Sequence, residues 1–123
     1  MEPHGDRFQI VLTTAGSDEQ ARSIARGLVE RRLAACVNVV PLGCSVYRWK
    51  GRIEEEEEWL LVIKTAERLF PAVSAAVREL HTYETPEVLA LDVRDGDPDY
   101  LRWLGDSLVE RSGGATVRTR TRR

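Results

Sequence analysis

The 123-residue chain carries two histidines, and His81 is the one that lies outside the N-terminal segment. With Cys36 and Glu84 it could present one nitrogen, one sulfur and one oxygen ligand, a mixed set compatible with copper or zinc. No local spacing of the C-x2-C or H-x3-H kind accompanies these residues. A lone histidine at a helix C-terminus can instead cap the helix, its charged form meeting the dipole, and both readings stay open. Cys36 sits among apolar neighbours, where a cysteine is often a small buried hydrophobe rather than a reactive thiolate. Lys64 follows Leu60-Leu61-Val62-Ile63. A lysine in an apolar strand needs a partner or a water-lined cleft; Glu58 or Glu84 could be that partner, in a structural ion pair or in a polar ligand pocket. Glu54 to Glu58 are five consecutive carboxylates, and hard cations prefer oxygen ligands. Strand alternation lets at most three of them share a side, so a solvated, aggregation-resistant edge is the simpler role. Tyr47, Trp49 and Trp59 are large aromatics that would be awkward on a lone copy and would pack between copies in an assembly.

The elements that must position these residues follow from pattern and punctuation. Phe8 to Leu12 reads as a short strand running into Thr13-Thr14-Ala15-Gly16. Ser17 with Gln20 matches a capping box, and Ala21, Ile24, Ala25, Leu28 and Val29 recur on one helical face. Cys36 to Trp49 and Ile53 to Thr65 read as two arms of a hairpin turning at Lys50-Gly51-Arg52. Each arm has room for about 13 residues, against a usual 5 or 6, so the hairpin should project beyond its own domain and leave backbone groups needing partners. Pro41-Leu42-Gly43 should bend or bulge the first arm. A second helix is expected from Leu69 to Leu80 with Pro71 in its first turn, and a fourth strand over Val88 to Val93. Asp97-Pro98 opens a last helix carrying Leu101, Leu104 and Leu108, ended by Gly113-Gly114. The order β-α-β-β-α-β plus a helix is an α+β, ferredoxin-like sandwich with an extra C-terminal helix and a long hairpin between its second and third strands. We expect a flexible start over 1–7, one domain over 8–111 and a disordered basic tail over 112–123.

Charge and composition narrow the function classes. Four of the 18 basic residues (Arg118, Arg120, Arg122 and Arg123) lie beyond Val117, so the body up to Val117 carries a formal charge of −6. That argues against the basic face of a nucleic-acid binder, and Glu54 to Glu58 stand where an RNA-binding sheet would display aromatics amid basic residues. An acylphosphatase-like hydrolase would need an anion-binding arginine in the loop Thr13 to Ser17, which has none; no enzymatic activity is expected. No apolar run approaches the roughly 20 residues of a membrane span, so no membrane partner is expected. The first residues lack the basic and apolar regions of a signal peptide. Cys36 and Cys44, eight residues apart in one strand, would stand about 26 Å apart, too far to bridge. Free thiols suit a reducing compartment, and a cytoplasmic location is expected.

Four stretches, Leu33-Ala34-Ala35-Cys36-Val37-Asn38-Val39-Val40-Pro41, Tyr47-Arg48-Trp49-Lys50-Gly51, Ile63-Lys64-Thr65 and His81-Thr82-Tyr83-Glu84-Thr85-Pro86-Glu87, resemble the CutA family of divalent-cation tolerance proteins. The likeness runs in order from about Phe8 to Leu108, including Gly96 and Tyr100-Leu101 with Trp103. The resemblance implies a ferredoxin-like protomer whose hairpins pair between subunits in a homotrimer similar to the P-II-type signalling proteins. It also implies a response to metal ions, with Cu2+ or another divalent cation as the bound ion and His81, Cys36 and Glu84 as its candidate ligands. The alternative it implies is a regulatory module holding a small ligand in an interface pocket built from Tyr47, Trp49, Glu58, Lys64 and Tyr83. The chain departs from the family pattern at Thr82, where members usually have proline. Thr13 and Leu80 stand where some metal-binding members have a cysteine and a second histidine.

Overall fold

The computed structural model describes residues 6–110. Strand β1 (Phe8–Ala15) leads into helix α1 (Asp18–Glu30), then the hairpin strands β2 (Cys36–Trp49) and β3 (Arg52–Ala66). A 3-10 turn over Glu67–Leu69 runs into helix α2 (Phe70–Leu80), followed by strand β4 (Leu89–Asp92) and helix α3 (Pro98–Asp106). The four strands form one antiparallel sheet in the order β2-β3-β1-β4. β1 and β2 are thus parallel strands joined through α1 and split by β3, which is the ferredoxin-like, α+β arrangement expected from the sequence.

Alternation assigns the two faces of the sheet. On one, Val11, Ala15, Leu61 and Ile63 are buried in one core with Ile24 and Leu28 of α1 and Val73 and Val77 of α2, so the apolar stripes of the helices meet these odd-numbered positions of β1 and β3. On the other, the register aligns Leu91, Ile10, Lys64 and Cys36 in one row and Leu89, Leu12, Val62 and Asn38 in the next. Among the described residues no helix covers that second face, and Leu89 and Leu91 remain 57% and 51% exposed.

The helix ends obey capping chemistry. The Ser17 hydroxyl accepts from the Gln20 amide at 3.0 Å, and the Asp97 carboxylate accepts from the Tyr100 amide at 3.0 Å. The expected capping box is half formed: the Gln20 side chain donates to the Leu80 carbonyl at 3.1 Å, tying the start of α1 to the end of α2. Strand β1 runs three residues past the expected Leu12, because Thr13, Thr14 and Ala15 find partners in Leu61, Leu60 and Trp59. Helix α3 stops at Asp106, short of the expected end; the Ser107 hydroxyl donates to the Trp103 carbonyl, and Leu108 is buried beyond the helix. Gly113-Gly114 and the basic tail lie outside the described residues. Of the expected flexible start, Asp6 and Arg7 are described and held: Asp6 is buried with its carboxylate 2.9 Å from the Arg68 guanidinium, and the Arg7 carbonyl accepts from the Glu67 amide at 2.7 Å.

The hairpin overhangs its sheet. β1 accompanies β3 only from Trp59 to Ala66, so the seven residues Arg52 to Glu58 and their β2 partners extend about 23 Å past it. Pro41 pairs with Trp59 and Gly43 with Glu58, leaving Leu42 as the extra residue of a bulge. Gly43 supplies the left-handed φ of 90° there, and Pro41 is tolerated because β2 is an edge strand. At the tip Trp49 pairs with Arg52, and Lys50 and Gly51, with φ of 51° and 81°, make a two-residue turn with both central dihedrals positive.

Candidate functional site

The segment from His81 to Val88 carries the chain from α2 past the end of β1 to β4, and it packs against the root of the overhang. His81 sets its course. The Tyr83 amide donates to Nδ1 at 3.0 Å and Nε2 stands 2.6 Å from the Thr14 carbonyl. A backbone amide only donates and a carbonyl only accepts, so Nδ1 is the acceptor and Nε2 carries the proton. The imidazole is neutral in this geometry and both nitrogens are engaged. It joins α2 to the end of β1 rather than capping its own helix through charge. Its ring lies 4.4 Å from that of Tyr83, and Tyr83 reaches on to Glu58, donating its hydroxyl to the carboxylate at 2.8 Å.

That contact closes one end of an open groove of about 860 Å³ lined on the hairpin side by Ser45, Tyr47, Trp49, Glu54, Glu56 and Glu58, and on the loop side by Thr82 to Thr85 and Glu87. Alternation along β3 turns Glu54, Glu56 and Glu58 to the same side, so three of the five consecutive carboxylates share the groove. Glu58 is only 6% exposed and depends on the Tyr83 hydroxyl. Tyr47 donates to Glu56 at 2.7 Å. That hydrogen bond, with lesser contributions from desolvation and from the charges of Glu56, Glu54 and Glu58, pushes the Tyr47 phenol up to about 12. Burial, then the bond to Glu58, raises the Tyr83 phenol. Burial, helped by the charge of Glu58, also lifts the Glu87 carboxyl above its ordinary value. The Tyr47 shift, led by its bond to Glu56 and helped by the neighbouring carboxylates, reports a surface that disfavours further negative charge, whereas the shifts of Tyr83 and Glu87 report loss of water first. Glu84 reaches toward the hairpin tip, 3.9 Å from the Lys50 ammonium.

The residues singled out from sequence divide between two places. Tyr47, Trp49, Glu58, Tyr83 and Glu84 line the groove, with His81 beneath it. Lys64 and Cys36 stand opposite each other on the uncovered face of the sheet, with the ammonium 3.9 Å from the Cys36 sulfur and hydrogen bonded to the Asn38 side chain. The partner of Lys64 is therefore Asn38, and neither Glu58 nor Glu84. In β3 the positions of Leu60, which pairs with Thr14, and of Lys64 are four residues apart, about 13 Å along the strand. His81, Cys36 and Glu84 of one copy do not converge, and among the described residues no group of three or more His, Cys, Asp or Glu side chains is placed to hold a metal ion. Thr13 faces the helices, its buried hydroxyl without a hydrogen-bond partner. Asn38 escaped the sequence reading although alternation places it two residues from Cys36 on the same face. Glu87 escaped because its place in the groove beside Glu58 depends on the loop fold.

Comparison with known proteins points one way. The family model for the CutA1 divalent ion tolerance protein matches residues 9–107. The divalent-cation tolerance protein CutA of Thermus thermophilus is 48% identical over 99 residues, covering 80% of this chain and 96% of that one. A CutA homolog of Xenopus laevis is 50% identical over 97 residues, covering 79% of this chain and 64% of its own, longer length. The solved CutA1 structure from Oryza sativa superposes with a TM-score of 0.83 at 39% identity, covering 86% of this chain and 97% of that one.

Proposed function

The chain belongs to the CutA family of divalent-cation tolerance proteins, and from that premise we propose that it acts without catalysis, as a homotrimer serving the response to metal ions in the cytoplasm. The observation that carries the assembly is the overhanging hairpin beside an uncovered sheet face. Among the described residues, a face bearing Ile10, Leu12, Leu60, Val62, Leu89 and Leu91 has no helix to pack on, and an edge strand of 14 residues has no neighbour on its outer side. Three copies set face to face around an axis would cover the first and give the hairpins partners.

The metal half of the proposal, with copper or another divalent cation as the ion, rests on family membership. Within one copy both nitrogens of His81 are engaged, and Cys36, opposite Lys64, lies four residues of strand from the Thr14–Leu60 row beside His81. Any ion held by His81, Cys36 and Glu84 must therefore draw its ligands from more than one copy, and His81 must give up the Tyr83 amide to bind it. Calorimetric titration of the full chain with Cu2+ and Zn2+ tests this. Saturable uptake lost in His81→Ala supports it, and absence of uptake, or uptake indifferent to His81, removes these residues from the metal chemistry.

One observation favours a second reading. A groove of about 860 Å³ with aromatic walls and convergent polar groups is of a size that holds small molecules, as the pocket of a regulatory module would. A small molecule that raises thermal stability where Cu2+ and Zn2+ do not would favour that reading.

A further inference from the structure

A thiol and an amine meet at the end of the sheet away from the groove. Cys36 opens β2 and stands opposite Lys64 of β3, with the Lys64 nitrogen 3.9 Å from the Cys36 sulfur. The same nitrogen donates to the Asn38 side chain, which stands two residues along β2 on the same face, so the amine is held beside the sulfur. Cys36 is half-buried and its thiol is free. Thiols that respond to oxidants sit in partly exposed, electropositive surroundings and have a second group at hand to trap the oxidised sulfur. We propose that Cys36 and Lys64 form a redox-sensitive pair in which peroxide drives a covalent sulfur–nitrogen link between β2 and β3, a modification that neither uses nor needs a bound metal.

The chemistry balances in two steps. The Cys36 thiol attacks one oxygen of the peroxide and the O–O bond breaks. Sulfur is oxidised to the sulfenic acid, the peroxide is reduced, and its other oxygen leaves as water with the thiol proton. The Lys64 nitrogen, having given one proton to solvent, then attacks the sulfur. The S–O bond breaks, the departing hydroxide takes a second proton from nitrogen and leaves as water, and a neutral S–NH link remains. Backbone nitrogens trap sulfenic acids by the same condensation.

Geometry favours Lys64 over the second thiol as the trap. Facing residues of paired strands have Cβ atoms about 4.5 to 5.5 Å apart, and lysine carries its amine on a flexible four-carbon stem. Closing the gap to a bond therefore needs side-chain rotation and no shift of the strands. Cys44 lies eight residues along β2, about 26 Å away. Both reacting groups belong to one copy and peroxide is little larger than water, so an assembly that covers this face leaves the pair intact. The link also removes the charge of Lys64 from the row it shares with Leu91 and Ile10, so oxidation changes the polarity of the uncovered face.

The test treats the folded, full-length Cys44→Ser chain with hydrogen peroxide in the presence of a chelator and reads intact mass and a tryptic map. The expected product is about 2 Da lighter than the untreated chain, joins the peptides of Cys36 and Lys64, resists cleavage after residue 64, and returns to the starting mass with dithiothreitol. Lys64→Arg, whose guanidinium keeps its charge, should cut this product at least tenfold and yield the sulfinic acid, about 32 Da heavier, in its place. Unfolding in urea before treatment should lose the link to the same extent. A folded chain that gives only sulfinic or sulfonic acid at Cys36, or no change, would overturn the proposal. So would a lighter product of equal yield in Lys64→Arg or in urea, because the pairing of Cys36 with Lys64 would then not direct the reaction.

Discussion

Removing one oxygen tests the link between the loop and the hairpin. Tyr83→Phe leaves the ring against His81 but deprives Glu58 of its only hydrogen bond among the described contacts, in a residue 6% exposed. Hydrogen bonds to charged groups contribute about 1.5 to 3 kcal/mol, and an unsatisfied buried acceptor costs a similar amount. Tyr83 is half-buried, so water can reach part of the site and the lower end applies, about 1 to 2 kcal/mol per protomer. For a domain of this size that lowers the melting temperature by roughly 5 to 10 °C. The substitution should be measured by thermal unfolding at fixed protein concentration, alone and in a Glu58→Gln background. Because a neutral acceptor makes a bond about half as strong, the loss caused by Tyr83→Phe should shrink when residue 58 is uncharged. A loss below about 0.5 kcal/mol, or one of equal size in both backgrounds, would refute the argument that Tyr83 is what makes a buried carboxylate tolerable at position 58.

Other outcomes follow from the same geometry. The folded state holds a proton on Glu87 more tightly than the unfolded chain does. The stability this contributes is present below the ordinary carboxylate range and lost as pH rises through the folded value, so Glu87→Gln should raise the melting temperature at pH 7 and change it little at pH 4. Ultraviolet titration should find the Tyr47 phenol ionising near 12, and Glu56→Gln should bring it back toward 10. Leu91→Asp places a charge on the uncovered sheet face; its far-ultraviolet circular dichroism should stay native while its mass in solution falls toward that of single copies.

Much of the fold was legible because it is written locally. Ser17 and Asp97 announce helix starts, Pro41 and Gly43 bracket the bulge, and Lys50-Gly51 makes the turn that fixes the hairpin register. The length of the hairpin arms was readable from their composition. The end of β1 was not, since Thr13 to Ala15 run straight into the turn at Gly16 and only their pairing with residues 59 to 61 shows that the strand continues through them. The site was legible as a list of residues and illegible as a grouping. Lys64 finds Asn38 because two strands pair in one register, and a shift of one residue would have offered it another neighbour. Tyr83 finds Glu58 across 25 residues because the loop after α2 folds back past the end of β1, guided by a histidine whose two nitrogens are spent on backbone groups. Sequence left His81 open between a helix cap and a metal ligand; within one copy its two nitrogens join the Thr14 carbonyl and the Tyr83 amide.

The account turns on the uncovered sheet face and the overhanging hairpin having partners of their own kind. Light scattering on the full chain, across a range of concentrations and without added metal, measures this directly. A mass of about 42 kDa, three copies of 13.9 kDa, that persists on dilution is the predicted result, and a stable single copy near 14 kDa would contradict it.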